Sequence, residues 1–85
     1  MELTALRAQM DAIDRRLIEA FQERMTLAAA IGQYKKEHGL PILQPEREAE
    51  TLCKLERSVP ETLRPELRTL YALLFALSRA EQERA

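Results

Sequence analysis

The sequence predicts an all-α chain of three helices, with a first helix so long that it needs a second copy of the molecule, as an intertwined homodimer. Three observations carry this reading. Apolar residues recur at Leu3, Leu6, Met10, Ile13, Leu17 and Phe21, the three-and-four spacing of one amphipathic helix. Two glycines, no tryptophan and an abundance of Ala, Leu, Glu, Arg and Gln favour helix almost everywhere. The third is size: at 85 residues the core of one chain is marginal, so something must supplement it. Cys53 is the only cysteine and cannot close an intramolecular disulfide, and no clustered Cys or His suggests a structural metal. Oligomerisation is the supplement that remains.

Composition also restricts function. Lys plus Arg is 13 against 14 acids, a formal net charge of −1, so no overall basic excess points to nucleic acid or an anionic membrane. Any anion site must be local. No uncharged apolar run is long enough to span a bilayer, and the start MELTALRAQ lacks a basic region followed by an apolar one. The expectation is one helical domain over residues 1–85, in the cytoplasm.

The first helix is expected from Leu3 to about Glu37, with Glu2 at its positive end, Lys35, Lys36 and His38 near its negative end, and Gly39 as the stop. Thirty-five residues make about 52 Å of helix, whereas a compact chain of this length has a radius of gyration near 12 Å. Its own chain cannot cover it. The loop GLPILQ leads to Pro45, whose fixed φ suits a first helical position, with Gln44 as a poor N-cap. The second helix, Pro45 to about Arg57, should turn Ala49, Leu52, Cys53 and Leu55 inward. Arg47 and Glu48 fall in its first turn, where an acid alone reads as a surface residue favoured by the helix dipole. Ser58 to Pro65 holds two prolines and reads as a connection with room for one short turn of helix. The third helix, about Pro65 to Glu83, carries Leu67, Leu70, Tyr71, Leu74, Phe75 and Leu77 on a broad apolar face, with Ser78 and Gln82 one above the other at its end.

Within the first helix the stripe continues through Arg24, Ala28, Ile31 and Lys35, so two cations occupy positions where the pattern calls for core. Eleven residues at about 100° each return Lys35 to within roughly 20° of Arg24, about 16 Å further along the axis. Two long cationic side chains leaning over a floor of Ala28, Ile31 and Gly32 leave room for a small anion. The plainer reading is that both snorkel to solvent. There is no Gly-rich phosphate loop, no HExxH and no CxxC, and His38 is the only histidine, so nucleophilic triads have thin support. The groups able to converge are Arg24, Lys35, Arg47, Glu48, Ser78 and Gln82. They suit binding an anion and shaping its electrostatics more than shuttling protons. Arg7 is the outlier, about 25 Å from Arg24 along one helix. In a two-fold dimer with antiparallel first helices and a dyad near Leu17 or Ile18, Arg7 of the partner subunit comes level with about Ala28.

These residues give the chain a resemblance to the all-helical chorismate mutases over nearly its whole length. The features are LR at Leu6 and Arg7 with Asp14 seven on, ER at Glu23 and Arg24, G-x-x-K from Gly32 to Lys35, ERE from Glu46 to Glu48, and S-x-x-x-Q from Ser78 to Gln82. The resemblance implies a dimer of three-helix chains with paired first helices and sites drawing on both subunits. It implies that Arg7 of one subunit and Arg24 of the other clamp the two carboxylates of chorismate. Lys35 and Gln82 would face the ether oxygen as catalytic residues, with Arg47 and Glu48 around the ring and its hydroxyl, and Ser78 at the carboxylate end. The family often has Asp where this chain has Gln44, which removes a carboxylate from the loop at the substrate. The implied reaction is the pericyclic rearrangement of chorismate to prephenate, in the synthesis of phenylalanine and tyrosine, with no cofactor, metal, nucleophile or base. Gln82, a neutral amide, needs no acidic pH to donate. One rival is an isochorismate pyruvate lyase on the same scaffold, against which Glu48 counts, since the related lyases carry an apolar residue there. The other is a helical dimerisation module without catalysis, part of a larger protein.

Overall fold

In a computed structural model the chain is described over residues 2–85. Helix α1 spans Leu3–Glu37, α2 spans Pro45–Arg57, a 3₁₀ turn occupies Glu61–Leu63, and α3 spans Arg64–Arg84. No strand occurs among the described residues. Each boundary has a local cause. The Glu2 side chain accepts a hydrogen bond from the Ala5 amide at 3.2 Å and caps the start of α1. Its end is closed by Gly39 at φ 63°, a left-handed conformation that an L side chain adopts only with strain. The Leu40 amide then returns to the Lys35 carbonyl at 2.8 Å. Pro45 opens α2 and Pro65 sits in the first turn of α3, both where a missing amide hydrogen costs nothing. The connection before α3 winds into a 3₁₀ turn, and α3 follows without a break, one residue earlier and one later than its sequence pattern indicates.

α2 folds back antiparallel along α3. Arg68 grips the Glu56 carboxylate with two N–H···O bonds of 3.0 and 2.9 Å, and Arg64 Nε donates to the Glu56 carbonyl at 2.9 Å. The paired guanidinium lowers the Glu56 carboxyl below its usual range. α3 then runs parallel to the second half of α1, and the deepest contact lies at the end of the pair. Among the described residues Ala28 is the only buried apolar one, at 2% exposure. Gly32 is buried beside it because α3 crosses so closely that a Cβ there would stand 2.3 Å from the Gln82 carbonyl oxygen and 2.5 Å from its Cα. The small residues of the α1 stripe therefore admit a second helix. Gly32 is thereby covered and is not open floor beneath an anion, whereas Ile31 lines the cavity beside Lys35 and Ala28 a small recess beside Arg24.

The rest of the α1 stripe has no cover within the chain. Leu3 is 58% exposed and Leu17 62%, and every described residue up to Glu23 is exposed. The radius of gyration is 15.9 Å and the longest dimension 54 Å, that of α1 itself. On α2, Leu52 and Leu55 are half-buried as expected, but Ala49 and Cys53 are exposed. The correction has a simple reason: α2 packs chiefly on α3, so one flank alone is covered.

At the head of α2, Gln44 stands in the N-cap position with no side-chain bond to the helix. Gln44→Asp should raise stability by about 0.5–1 kcal/mol, because a short carboxylate there can accept from the first-turn amides. Thermal denaturation checks this, and a lower melting temperature would reveal a stabilising contact of the Gln44 side chain.

Candidate active site

Lys35 is the centre of the site. It projects from the last turns of α1 at 9% exposure, and an ammonium so placed needs acceptors to offset the loss of water. It has two. Its Nζ donates to the Ile42 carbonyl of the α1–α2 loop at 2.8 Å and to Gln82 Oε1 of α3 at 2.7 Å. An ammonium has three N–H donors, so one remains for a ligand. Burial pushes the Lys35 pKa below the ordinary 10.5, while the negative charge of Glu48 partly restores it.

Gln82 is 8% exposed and fixed by the same contact. Because Lys35 offers only donors, the amide oxygen must face it, and Nε2 points away. That nitrogen makes a long 3.4 Å bond to Ser78 Oγ and keeps a second hydrogen free. Lys35 and Gln82 thus present two N–H donors side by side, held by each other. Ser78, one turn earlier on α3, supports the amide.

These groups line a cavity of about 290 Å³ between α1, the loop, α2 and α3. Its wall includes Arg24, Gln44, Arg47 and Glu48 as well as Lys35, Ser78 and Gln82, so seven of the eight residues singled out in the sequence meet there. Arg24 is half-buried, its guanidinium 5.5 Å above the Tyr71 ring, an arrangement that orients a cation without consuming its charge. Arg47 is exposed at the rim and pairs with Glu50 at 3.3 Å. Glu48 is half-buried and not the free surface acid its place in a first turn suggests. Arg7 is exposed on the uncovered half of α1 and does not line the cavity of its own chain.

Sequence reasoning missed four contributors. Ile42 supplies a backbone carbonyl, for which no side-chain signal exists. Phe75 and Thr51 complete the wall. Arg79 pairs with Glu48 at 2.5 Å across α2 and α3. Its position, four after Phe75 and three before Gln82, puts it on the cavity face of α3, and that spacing was the available signal.

The cavity therefore offers cations, two fixed neutral or charged donors and one carboxylate, on a wall half apolar. It can hold a small anion with an apolar body. Among the described residues no group of three or more His, Cys, Asp or Glu could hold a metal ion, and no helix is long and apolar enough to cross a membrane.

The family model described as chorismate mutase type II matches residues 6–83. The chain belongs to that family. The chorismate mutase of Methanocaldococcus jannaschii is 34% identical over 68 residues, covering 73% of this chain and 68% of its own length. The 4-amino-4-deoxychorismate mutase of Streptomyces pristinaespiralis is 37% identical over 84 residues, 95% of this chain and 65% of its own length. The T-protein of Enterobacter agglomerans is 49% identical over 52 residues, 61% of this chain but 14% of that protein. The chain thus spans less than two thirds of several curated relatives it matches. No solved structure matches it.

For this chorismate mutase family member, the Gly32 contact yields a prediction with opposed terms. Gly32→Ala gains about 1 kcal/mol of helix propensity but places a methyl group against backbone, which no rotamer change can relieve. Overpacking of about 1–3 kcal/mol or more should win, so the melting temperature falls and Gln82 shifts from Lys35. A higher melting temperature would show that α1 and α3 part easily.

Proposed function

We propose that this chain catalyses the rearrangement of chorismate to prephenate, in the cytoplasm, as one helical domain acting in a homodimer. The observation that carries the reading is the buried Lys35–Gln82 pair opening on a cavity otherwise rich in cations. The reaction breaks a C–O bond and forms a C–C bond in one pericyclic step, so it needs no nucleophile, base or metal. Two tasks remain for the protein. It selects the compact conformer of a flexible dianion, an orientation effect. It also sets donors where negative charge grows on the ether oxygen, where one lost donor costs about 3–4 kcal/mol in comparable sites.

The free N–H of Lys35 and that of Gln82 are assigned to the ether oxygen. Arg24 is assigned to one carboxylate, with Ser78 at the same end, and Arg47 and Gln44 to the rim. Chorismate as a dianion has a single O–H donor, its ring hydroxyl, and Glu48 is the single carboxylate on the wall. The two are matched by elimination, since Glu48 would repel either substrate carboxylate.

The uncovered half of α1 lacks a mate, and we assign the second carboxylate to a cation of that mate. One arrangement supplies both. Antiparallel pairing of α1 about a dyad near Leu17 brings Arg7 of the partner subunit to the open mouth near Ala28. An apolar groove of about 320 Å³ lined by Leu17, Ile18, Phe21, Leu70, Tyr71 and Leu74 lies at that dyad and is suited to receive the partner's helix. A second reading keeps the reaction and changes the substrate: the likeness to a 4-amino-4-deoxychorismate mutase covers 95% of the chain and raises an amine in place of the hydroxyl.

Purified chain incubated with chorismate should deplete it and form prephenate, with pyruvate release from isochorismate slower by a wide margin. Faster pyruvate release would establish the lyase instead. Lys35→Ala should lower kcat by about 10²-fold or more with helix content unchanged.

The lowered Lys35 pKa gives the sign of the pH dependence. In the free enzyme Lys35 loses its proton below the ordinary lysine range, so kcat/KM should fall on an alkaline limb below pH 10.5. A bound dianion favours the ammonium, so the limb of kcat should lie higher. Limbs that coincide, or an alkaline limb retained by the residual activity of Lys35→Ala, would remove Lys35 from this role.

A further inference from the structure

Glu48 and Arg79 form an ion pair that the reaction as described does not use. Arg79 Nη1 donates to Glu48 Oε2 at 2.5 Å, and both side chains are about one-third exposed, at 32% and 27%. The pair lines the candidate active-site cavity on one side and a second cleft between α2 and α3 on the other. Oε1 of Glu48 carries no hydrogen bond among the described residues and is free to accept. The site thus holds its one carboxylate against a fixed cation, with one lone-pair-bearing oxygen left over.

We propose that Arg79 is the residue that makes this site select a hydroxyl over an ammonium at the ring position facing Glu48. The inference rests on the reading of the chain as a mutase of chorismate-like dianions. A hydroxyl asks only for an acceptor, which Oε1 supplies whether or not Oε2 is paired. An ammonium seeks the whole negative charge, and here that charge is already shared with a guanidinium. It would also stand within a few ångströms of Arg79, a like charge. The balance over the cavity points the same way. Arg24, Lys35, Arg47 and Arg79 against Glu48 leave a formal excess of three positive charges in one chain. Chorismate brings two negative charges to it. The amino analogue, with its amine protonated, brings a net one. Arg79 therefore favours the hydroxyl substrate both by direct repulsion of its rival and by adding to a cationic field, which is selection against as well as for.

The test is the ratio of kcat/KM for chorismate to that for 4-amino-4-deoxychorismate, measured at a pH where the amine is protonated. Arg79→Gln removes the charge and can still donate to Glu48, so the tie between α2 and α3 is kept. Arg79→Met removes both, and Arg79→Lys restores the charge. Arg79→Gln and Arg79→Met should each move the ratio toward the amino substrate by about tenfold or more, and Arg79→Lys should hold it near the wild-type value. A role confined to holding the helices together, or to binding a substrate carboxylate, lowers both activities in proportion. An unchanged ratio in a folded Arg79→Gln protein that still turns over chorismate would overturn the proposal. A wild-type chain that converts neither substrate would instead remove the functional reading beneath it.

Discussion

A 35-residue helix in an 85-residue chain fixes most of what this molecule can be. α2 and α3 together can cover only its second half, and what they cover is narrow: Ala28, Gly32 and Lys35 are its buried residues. The first half carries a continuous apolar stripe into solvent. Burial of apolar surface is the main favourable term in folding, at about 25 cal/mol per Å², so the exposed stripe is stabilisation that one chain leaves unused. The cavity around Lys35 is itself only partly enclosed by the one chain. On the proposed reading, one partner helix would supply both a cover for the stripe and a further cation for the site.

At the covered end the structure depends on closeness rather than on area. Gly32 lets the backbone of α3 approach α1, and the approach carries Gln82 Oε1 to 2.7 Å from Lys35 Nζ. The loop contributes at the same point, since Gly39 turns the chain and the Ile42 carbonyl reaches Nζ at 2.8 Å. With those two acceptors the ammonium can be withdrawn from water with its hydrogens partnered, and its pKa is lowered because burial outweighs the negative charge of Glu48. The arrangement is preorganised: two N–H donors are held side by side before any ligand enters, as the proposed stabilisation of a developing oxyanion would require. Arg79 and Glu48 extend the same economy to the far wall, where one ion pair joins two helices and shapes the field of the cavity.

Much of this was legible in the sequence, for identifiable reasons. α1 and α2 begin and end where the pattern places them because Gly39 and Pro45 are strong local signals that packing does not override. Lys35 and Arg24 stood out because a cation on an apolar stripe violates the pattern, and both prove to line the cavity. Gly32 and Ala28 were harder, since small residues are equally suited to flooring a ligand and to admitting a helix, and only the path of α3 decides between these. Arg79 drew no notice in the sequence because its partner is 31 positions away on another helix. Ala49 and Cys53 read as core by spacing, but spacing gives the face of a helix and not the width of its cover. The Ile42 carbonyl could not have been found, as backbone acceptors leave no trace in residue type.

The central claim is that two chains build each site, with Arg7 of one serving Lys35 of the other, and mixed dimers test it most directly. Arg7→Ala and Lys35→Ala are each expected to be inactive as homodimers. When the two are unfolded together and refolded, half the dimers are mixed, and each mixed dimer has one site with both lesions and one with neither. Roughly a quarter of all sites should then be intact, and that fraction of wild-type chorismate turnover should return. No return of activity, with mixed dimers demonstrated in the sample, would contradict the account and mean that each chain completes its own site.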